Sequence, residues 1–202
     1  MKVMGQLLRR EFSPVIAAIV CAVVLVGSLV LMIHGRMAIL RDGAEIILKT
    51  APIDPRDLMR GDYVRLRYEG ISSVDGELLT DSWPDKDSYV PLWLTLEPGE
   101  GGLAKVKSIS LQKPDPESPK AVYLKSKPVM LYGVDQPRTG TVILTLNFGI
   151  ERYYVPEGAG LEIEEARNAS RTTIAIRVSK DGEAQIARLM IDGETLYEEP
   201  FY

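Results

Sequence analysis

The chain has 202 residues, of which 46% are hydrophobic and 26% charged, and its formal net charge is −4. This length favours one domain with at most a small appendage, and the composition argues against disorder, collagen and coiled coil. A single Cys and a single His, His34, exclude a disulfide framework, a Cys-based metal cluster and a multi-His site, so neither a metal nor a cofactor is expected.

The first predicted element is an apolar helix. Residues 14–33 carry no charge, and a helix over Val15 to Ile33 spans roughly 28 Å, close to the hydrocarbon thickness of about 30 Å in a bilayer. A soluble helix of this length would show a polar stripe, which is missing here. We therefore predict a cytoplasmic N-terminus over 1–13, a transmembrane signal anchor over 14–34 and an extracytoplasmic domain over 35–202.

Two alternatives to an uncleaved anchor fit less well. A cleaved signal peptide has a shorter apolar region and a small-x-small site, which 31–36 lacks. A lipoprotein signal would use Cys21, but the bulky Val20 precedes it and the apolar run continues beyond it. A modest excess of basic residues before the helix predicts that the C-terminal domain lies outside the cytoplasm; the flanking residues are Lys2, Arg9 and Arg10 before it, and Arg36 and Arg41 after it.

The outer domain is acidic and strand-like. From Asp42 onward there are 19 basic and 27 acidic residues, which argues against a nucleic-acid partner. Turn residues separate short β-rich runs, which is typical of an antiparallel sandwich or open barrel. The runs cover Glu45–Thr50, Tyr63–Tyr68, Tyr89–Leu96, Leu103–Leu111, Ala121–Leu131, Thr141–Phe148, Thr172–Val178 and Ala184–Ile191. The fold class is therefore mainly β, with one or two short helices.

Local signals place these helices and one hairpin. Capping residues predict a helical turn over Asp54–Asp57, and the acidic run Leu161–Asn168 predicts a second helix. The pair Asp181-Gly182 suits a hairpin turn with positive φ. This turn favours a strand for Ala184–Ile191, although the run also has helical propensity.

Residues 61–68 contain the densest pattern, Gly-Asp-Tyr-Val-Arg-Leu-Arg-Tyr. It resembles the defining motif of the GDYXXLXY family, and the segments 149–158 and 182–193 resemble two further segments of that family. An N-terminal membrane helix is also typical of the family. The resemblance implies a membrane-anchored bacterial protein, often encoded beside a multi-pass membrane protein, and it supplies no catalytic residues.

The octapeptide has a structural and a functional interpretation. Period-two alternation places Val64, Leu66 and Tyr68 on one strand face, which belongs in the core. It places Tyr63, Arg65 and Arg67 on the other face. In the functional interpretation, a basic and aromatic surface binds a carboxylate, a phosphate or an acidic protein. Its candidate residues are Arg56, Arg60, Asp62, Tyr63, Arg65, Arg67 and Tyr68.

The segment 149–158 also has a functional and a structural interpretation. Arg152, Tyr153, Tyr154 and Glu157 mix charge with aromatic rings in a predicted loop, where binding residues are common. The structural alternative is an Arg–Glu pair that covers the tyrosines. The spacing of Asp54, Asp57 and Asp62 matches no metal-binding loop, so no metal ligands are predicted.

Three functions follow from these features. We favour a single-pass, non-catalytic accessory subunit of a multi-pass inner-membrane protein over an extracytoplasmic domain that binds a small ligand. A membrane-bound hydrolase related to signal peptidases ranks third. Pro55 and Gly61-Asp62 mimic the arrangement of those enzymes, but Pro52 occupies the place of the nucleophilic Ser. The Ser–Lys dyad that such an enzyme needs is therefore missing.

Overall fold

The computed structural model describes residues 13–53, 63–116, 118–133, 142–156 and 160–200. The chain divides into two compact units, Met1–Ala38 and Ile39–Tyr202. Helix α1, Pro14–Asp42, has no buried residue and is long and apolar enough to cross a membrane. The predicted apolar helix is thus present, and its helical conformation continues beyond the predicted 14–34 span.

Within the described residues, thirteen strands and one short α-helix follow α1. Helix α2 is Gly160–Asn168, which confirms the predicted helix in this region. The strands are β1 Ala44–Lys49, β2 Tyr63–Arg65, β3 Ser73–Asp75, β4 Ser88–Val90, β5 Trp93–Pro98, β6 Ala104–Ser110, β7 Val122–Lys125, β8 Val129–Leu131, β9 Ile143–Thr145, β10 Arg152–Tyr154, β11 Thr172–Val178, β12 Ala184–Ile191 and β13 Glu194–Glu198. Short 3₁₀ helices cover Gly76–Leu78 and Glu100–Gly102.

In the part of the chain that the structure describes, the strands form five sheets, and the paired strands are antiparallel. The largest has the order β1-β11-β12-β13, and a three-stranded sheet has the order β6-β5-β7. The other three are the pairs β10-β2, β3-β9 and β4-β8. The mainly β, antiparallel fold class is therefore confirmed.

One hydrophobic core joins these sheets. It contains residues from the largest sheet, such as Leu48 and Ile174, from the three-stranded sheet, such as Leu94, and from β2. Ile163 attaches α2 to the same core. Neighbouring side chains on a strand point to opposite faces, and β1 and β7 accordingly bury alternate residues in the core.

Asp-Gly turns connect the last three strands. Gly182 has φ +80° in the β11–β12 hairpin, and Asp192 and Gly193 have φ values of 51° and 86° between β12 and β13. The hairpin and the strand over 184–191 are therefore confirmed. A Cβ on Gly182 would lie 2.6 Å from the Trp93 ring and 2.7 Å from Lys125 Cβ, so the turn also needs the small residue for space.

Several predicted strands differ in extent. The runs Tyr89–Leu96 and Ala121–Leu131 each divide into two strands, because Pro91 and Pro128 interrupt the hydrogen-bond ladder. Strands β3 and β13 lie outside the predicted runs. The loop prediction for Arg152–Tyr154 was wrong, since these residues form β10. The predicted helical turn over Asp54–Asp57 lies outside the described residues.

Candidate functional site

The two distant segments singled out in the sequence form one two-stranded sheet, which we call the motif ribbon (β2 and β10). Arg152 pairs with Arg65, Tyr153 with Val64 and Tyr154 with Tyr63 in antiparallel register. Beyond β2, the Leu66 amide donates to the Glu151 carbonyl at 2.9 Å, which continues the contact between the segments. Strand pairing thus gives the ribbon one buried face and one exposed face.

The buried face of the ribbon is structural. Val64, Leu66 and Tyr68 are at most 3% exposed, as the alternation of the octapeptide predicted. The Tyr68 hydroxyl donates to the Ile150 carbonyl at 2.6 Å, and the Tyr68 amide donates to Ser72 Oγ at 2.9 Å. Burial, followed by the charge of Glu151, raises the pKa of Tyr68 well above its usual value. Tyr68 is therefore a neutral core residue that holds the two segments together.

Tyr153 belongs to the same buried face. It is 6% exposed, and its ring centroid lies 6.4 Å from that of Tyr197 on β13. Burial raises the pKa of Tyr153, and the Glu199 carboxylate raises it further. The side chain thus packs the ribbon against β13, and it is placed for a structural role.

The exposed face of the ribbon carries two arginines and two tyrosines. We call Tyr63, Arg65, Arg152 and Tyr154 the motif face. The rings of Tyr63 and Tyr154 lie 6.0 Å apart, centroid to centroid, at an interplanar angle of 56°. The guanidinium carbon of Arg152 lies 5.5 Å from the Tyr63 ring centroid, within the range of a cation–π contact. Tyr154 is 70% exposed, so its ring is open to a partner.

Two charged residues outside the motif face support its backbone. Glu151 accepts hydrogen bonds from the Phe148 and Gly149 amides, which fixes the turn that leads into β10. Arg167, on the last turn of α2, donates from Nη1 to the Arg65 carbonyl at 2.7 Å. The motif ribbon is therefore tied at β2 to a helix and at β10 to a capped turn.

Arg167 is a buried cation whose importance the sequence did not reveal. It is 3% exposed, and its remaining hydrogen bonds go to Asn168 Oδ1. Burial lowers the pKa of its guanidinium. In the sequence it resembles an ordinary basic residue at a helix C-terminus. Only the long-range contact with Arg65 shows its role, and no local pattern encodes that contact.

The other predicted site residues are Arg67, which the structure describes, and four residues that it does not describe. Arg67 is exposed and donates from Nη2 to Ser73 Oγ at 2.9 Å, so its side chain is directed to β3. The alternative in which an Arg–Glu pair covers the tyrosines stays a prediction, because Glu157 lies outside the described residues. The remaining candidates, Arg56, Arg60, Asp62 and Glu157, lie outside the described residues.

Comparison with known proteins identifies the family. The family model described as GDYXXLXY protein matches residues 25–189. The chain belongs to the GDYXXLXY family. No curated protein and no solved structure matches it. In this GDYXXLXY protein, the match includes α1 from Leu25 onward and both strands of the motif ribbon.

The side chains of the motif face offer two kinds of polar group. Arginine offers a planar fork of N–H groups to a carboxylate or phosphate, and tyrosine offers a rigid ring with a polar end. Within the described ranges, no group of three His, Cys, Asp or Glu residues is placed to hold a metal ion. The GDYXXLXY motif therefore combines a buried structural residue, Tyr68, with two exposed arginines, Arg65 and Arg67.

Proposed function

We propose that the protein is a single-pass, membrane-anchored accessory subunit that binds a multi-pass membrane protein through its motif face. In this proposal α1 spans the inner membrane of a bacterium, with the N-terminus in the cytoplasm and the β-rich domain outside it. The modest excess of basic residues before α1 supports this orientation. In this proposal α1 anchors the protein in the membrane, and the motif face determines which protein it binds.

One observation carries the proposal: the two motif segments converge and expose arginine and tyrosine side chains on the same face. Other polar groups of these segments are used in backbone hydrogen bonds, as Tyr68 and Glu151 show. Arginine and tyrosine are enriched at the energetically important centres of protein interfaces. This arrangement favours protein binding over an extracytoplasmic small-ligand site or a hydrolase.

Photo-crosslinking in living cells tests this proposal. Tyr154 is replaced by p-benzoylphenylalanine in the full-length chain, because its exposed ring tolerates a larger aromatic residue. The matched control carries the same residue at Lys180, which is exposed at the β11–β12 turn. After irradiation, the tagged chain is purified in detergent and its adducts are identified by mass spectrometry.

We expect the Tyr154 variant, and not the Lys180 variant, to form an adduct with a multi-pass membrane protein. Adducts at neither position, in cells that express the chain at its native level, would refute the accessory function. A low-molecular-weight adduct at Tyr154 would instead support the small-ligand alternative.

Alkaline phosphatase fused after Tyr202 tests the topology, because this enzyme is active only outside the cytoplasm. An inactive fusion contradicts the proposed orientation.

A further inference from the structure

We infer that the partner adds an extended segment of its own backbone to the outer edge of β10, as a third strand of the motif ribbon. This inference rests on the proposed function, since it states how the accessory subunit would hold its partner. Strand addition uses main-chain hydrogen bonds for affinity and neighbouring side chains for specificity. The two outer edges of the ribbon differ, and the described contacts permit such an addition at β10 but not at β2.

The hydrogen-bond ladder determines which backbone groups of the ribbon face outward. The Leu66 amide donates to the Glu151 carbonyl, so these two residues form a hydrogen-bonded pair. Hydrogen-bonded and non-hydrogen-bonded pairs alternate along an antiparallel ladder, which makes Arg65 and Arg152 a non-hydrogen-bonded pair. Tyr154, two residues further along β10, has the same orientation as Arg152. The amide and carbonyl groups of Arg152 and Tyr154 therefore point away from β2, to the outer edge of β10.

The outer edge of β2 is covered within the domain. The Arg65 carbonyl, which points to this edge, accepts a hydrogen bond from Nη1 of Arg167 at 2.7 Å. The Arg67 carbonyl, two residues further along the chain, accepts from the Ala51 amide at 2.7 Å. Arg167 is 3% exposed, so its side chain is packed into the domain at this edge. These contacts exclude an added strand on this side of the ribbon.

The outer edge of β10 is open in the described part of the chain. Among the described residues, no group donates to the backbone carbonyls of Arg152 and Tyr154, and none accepts from their amides. Both residues are exposed, and Tyr153 between them is buried. An edge strand with unpaired amides and carbonyls is a template for pairing with another chain. This template ends at Pro156, which has no amide hydrogen.

The spacing of these groups identifies an extended polypeptide as the occupant. Outward-facing residues on one strand repeat every two positions, about 6.8 Å apart. An extended chain presents donors and acceptors at the same interval, whereas a lipid headgroup or a small ligand presents no such series. From Asp42 onward the formal charge is −8, so a second copy of the domain is repelled at close approach. A segment of a different protein therefore fits this edge best.

The exposed side chains of β10 select the added strand. Side chains directly opposite each other on an antiparallel pair have Cβ atoms about 4.5–5.5 Å apart. The added segment therefore places its own side chains against Arg152 and Tyr154, on the motif face. The Tyr63 ring lies 6.0 Å from the Tyr154 ring and 5.5 Å from the Arg152 guanidinium carbon, so it supports both side chains before binding. A preformed site loses less conformational entropy when it binds.

Amide exchange in the free chain tests whether the edge is open. Selective isotope labelling of tyrosine reports on Tyr153 and Tyr154 together in the full-length chain in detergent, and Tyr154→Phe assigns the second signal. The Tyr153 amide faces Val64 within the ribbon, so it is the internal control. We expect the Tyr154 amide to exchange at least about tenfold faster than the Tyr153 amide. Equal protection of the two amides would overturn the inference, because the edge would then be occupied within the domain.

A proline substitution tests strand addition by the partner. Arg152→Pro removes the outward-facing amide and spares the hydrogen bonds of the ribbon, because proline is tolerated where the N–H of an edge strand faces away from the sheet. Arg152→Ala removes the same side chain and keeps the amide, so it is the matched control. Each variant is combined with p-benzoylphenylalanine at Tyr154 in the full-length chain, and urea unfolding establishes that each is folded.

We expect Arg152→Pro to reduce photo-capture about tenfold relative to Arg152→Ala, the loss that corresponds to about 1.4 kcal/mol. Equal capture by the two folded variants overturns strand addition, while the accessory function stands. An adduct between two copies of this chain identifies a second copy as the occupant and also overturns the inference. If Arg152→Pro does not fold, amide exchange is measured with the captured protein bound, and an unchanged rate at Tyr154 has the same consequence. Absence of photo-capture by the otherwise unmodified chain refutes the proposed function itself.

Discussion

The last tyrosine of the octapeptide gives the sharpest test of its structural role. Tyr68 is 1% exposed, and its hydroxyl donates to the Ile150 carbonyl, which belongs to the second motif segment. The substitution Tyr68→Phe keeps the ring in the core and removes only this donor. The Ile150 residue is itself 3% exposed, so water cannot easily replace the lost hydrogen bond.

The expected loss follows from the burial of the acceptor. A buried polar group left without its partner costs about 1–3 kcal/mol, more than the net value of an average hydrogen bond. For a protein of this size, each kcal/mol lowers the melting temperature by about 2–4 °C. Tyr68→Phe should therefore reduce the free energy of unfolding by about 1–3 kcal/mol.

Urea unfolding of the full-length chain in detergent, followed by near-ultraviolet circular dichroism, measures this loss. Tyr154→Phe is the matched control, because its ring is 70% exposed and removal of its hydroxyl should change stability by less than about 0.5 kcal/mol. On capture of the partner we expect the reverse order of effects. Tyr154→Phe should weaken capture more than Tyr68→Phe, which capture should tolerate once the chain is folded. If the two variants are equally stable, the motif tyrosine does not hold the two segments together.

Three further predictions follow from the described contacts. Burial raises the pKa of Tyr68, so the unfolded chain loses this proton first as the pH rises. The contribution of Tyr68 to stability should therefore fall above pH 10 by about 1.4 kcal/mol per pH unit until the native pKa is reached. Tyr153, whose pKa is also raised, adds to the decrease. Titration of the unfolding midpoint checks this, and Tyr68→Phe should weaken the dependence. Gly182→Ala should cost about 2–5 kcal/mol, because positive φ and the contact with Trp93 both oppose a Cβ. Gly193→Ala, at a similar φ with no neighbour within 4 Å, should cost only about 1–2 kcal/mol in the same assay. Glu151→Gln should destabilise the chain by about 1–2 kcal/mol in urea unfolding, since an amide has one oxygen where the carboxylate uses two.

Each of these three predictions has an experimental result that would contradict it. An alkaline profile that is identical in wild type and Tyr68→Phe contradicts the raised pKa. Equal losses for the two glycine variants would show that backbone conformation alone governs the β11–β12 turn. Unchanged stability of Glu151→Gln would mean that the carboxylate does not cap the turn at Gly149.

The sequence predicted those elements that local patterns encode. The uncharged run starting at Pro14 predicted α1. The Asp-Gly turn at 181–182 predicted the β11–β12 hairpin and favoured a strand over a helix for Ala184–Ile191. The acidic run before Asn168 predicted α2. In each case the signal lies within a few residues, so it needs no knowledge of the tertiary partner.

Elements defined by distant partners were not predictable in this way. Arg152–Tyr154 is short and charged, and it is a strand because it pairs with Tyr63–Arg65. The motif face is a second example. The sequence predicted its residues as candidate binding residues, but it did not predict the strand pairing that brings them together. The roles of Arg167 and Glu151 depend on backbone groups elsewhere in the fold. Sequence spacing carries no record of such contacts.

The pairing of β2 with β10 also constrains the order of folding. Seven of the described strands, β3 to β9, lie between them in the chain. The ribbon therefore closes a long loop, and the entropy cost of this closure must be met before its contacts form. We expect this ribbon to assemble late, after the intervening strands have collapsed. A partner that binds the motif face would then select completed domains and leave partly folded chains unbound.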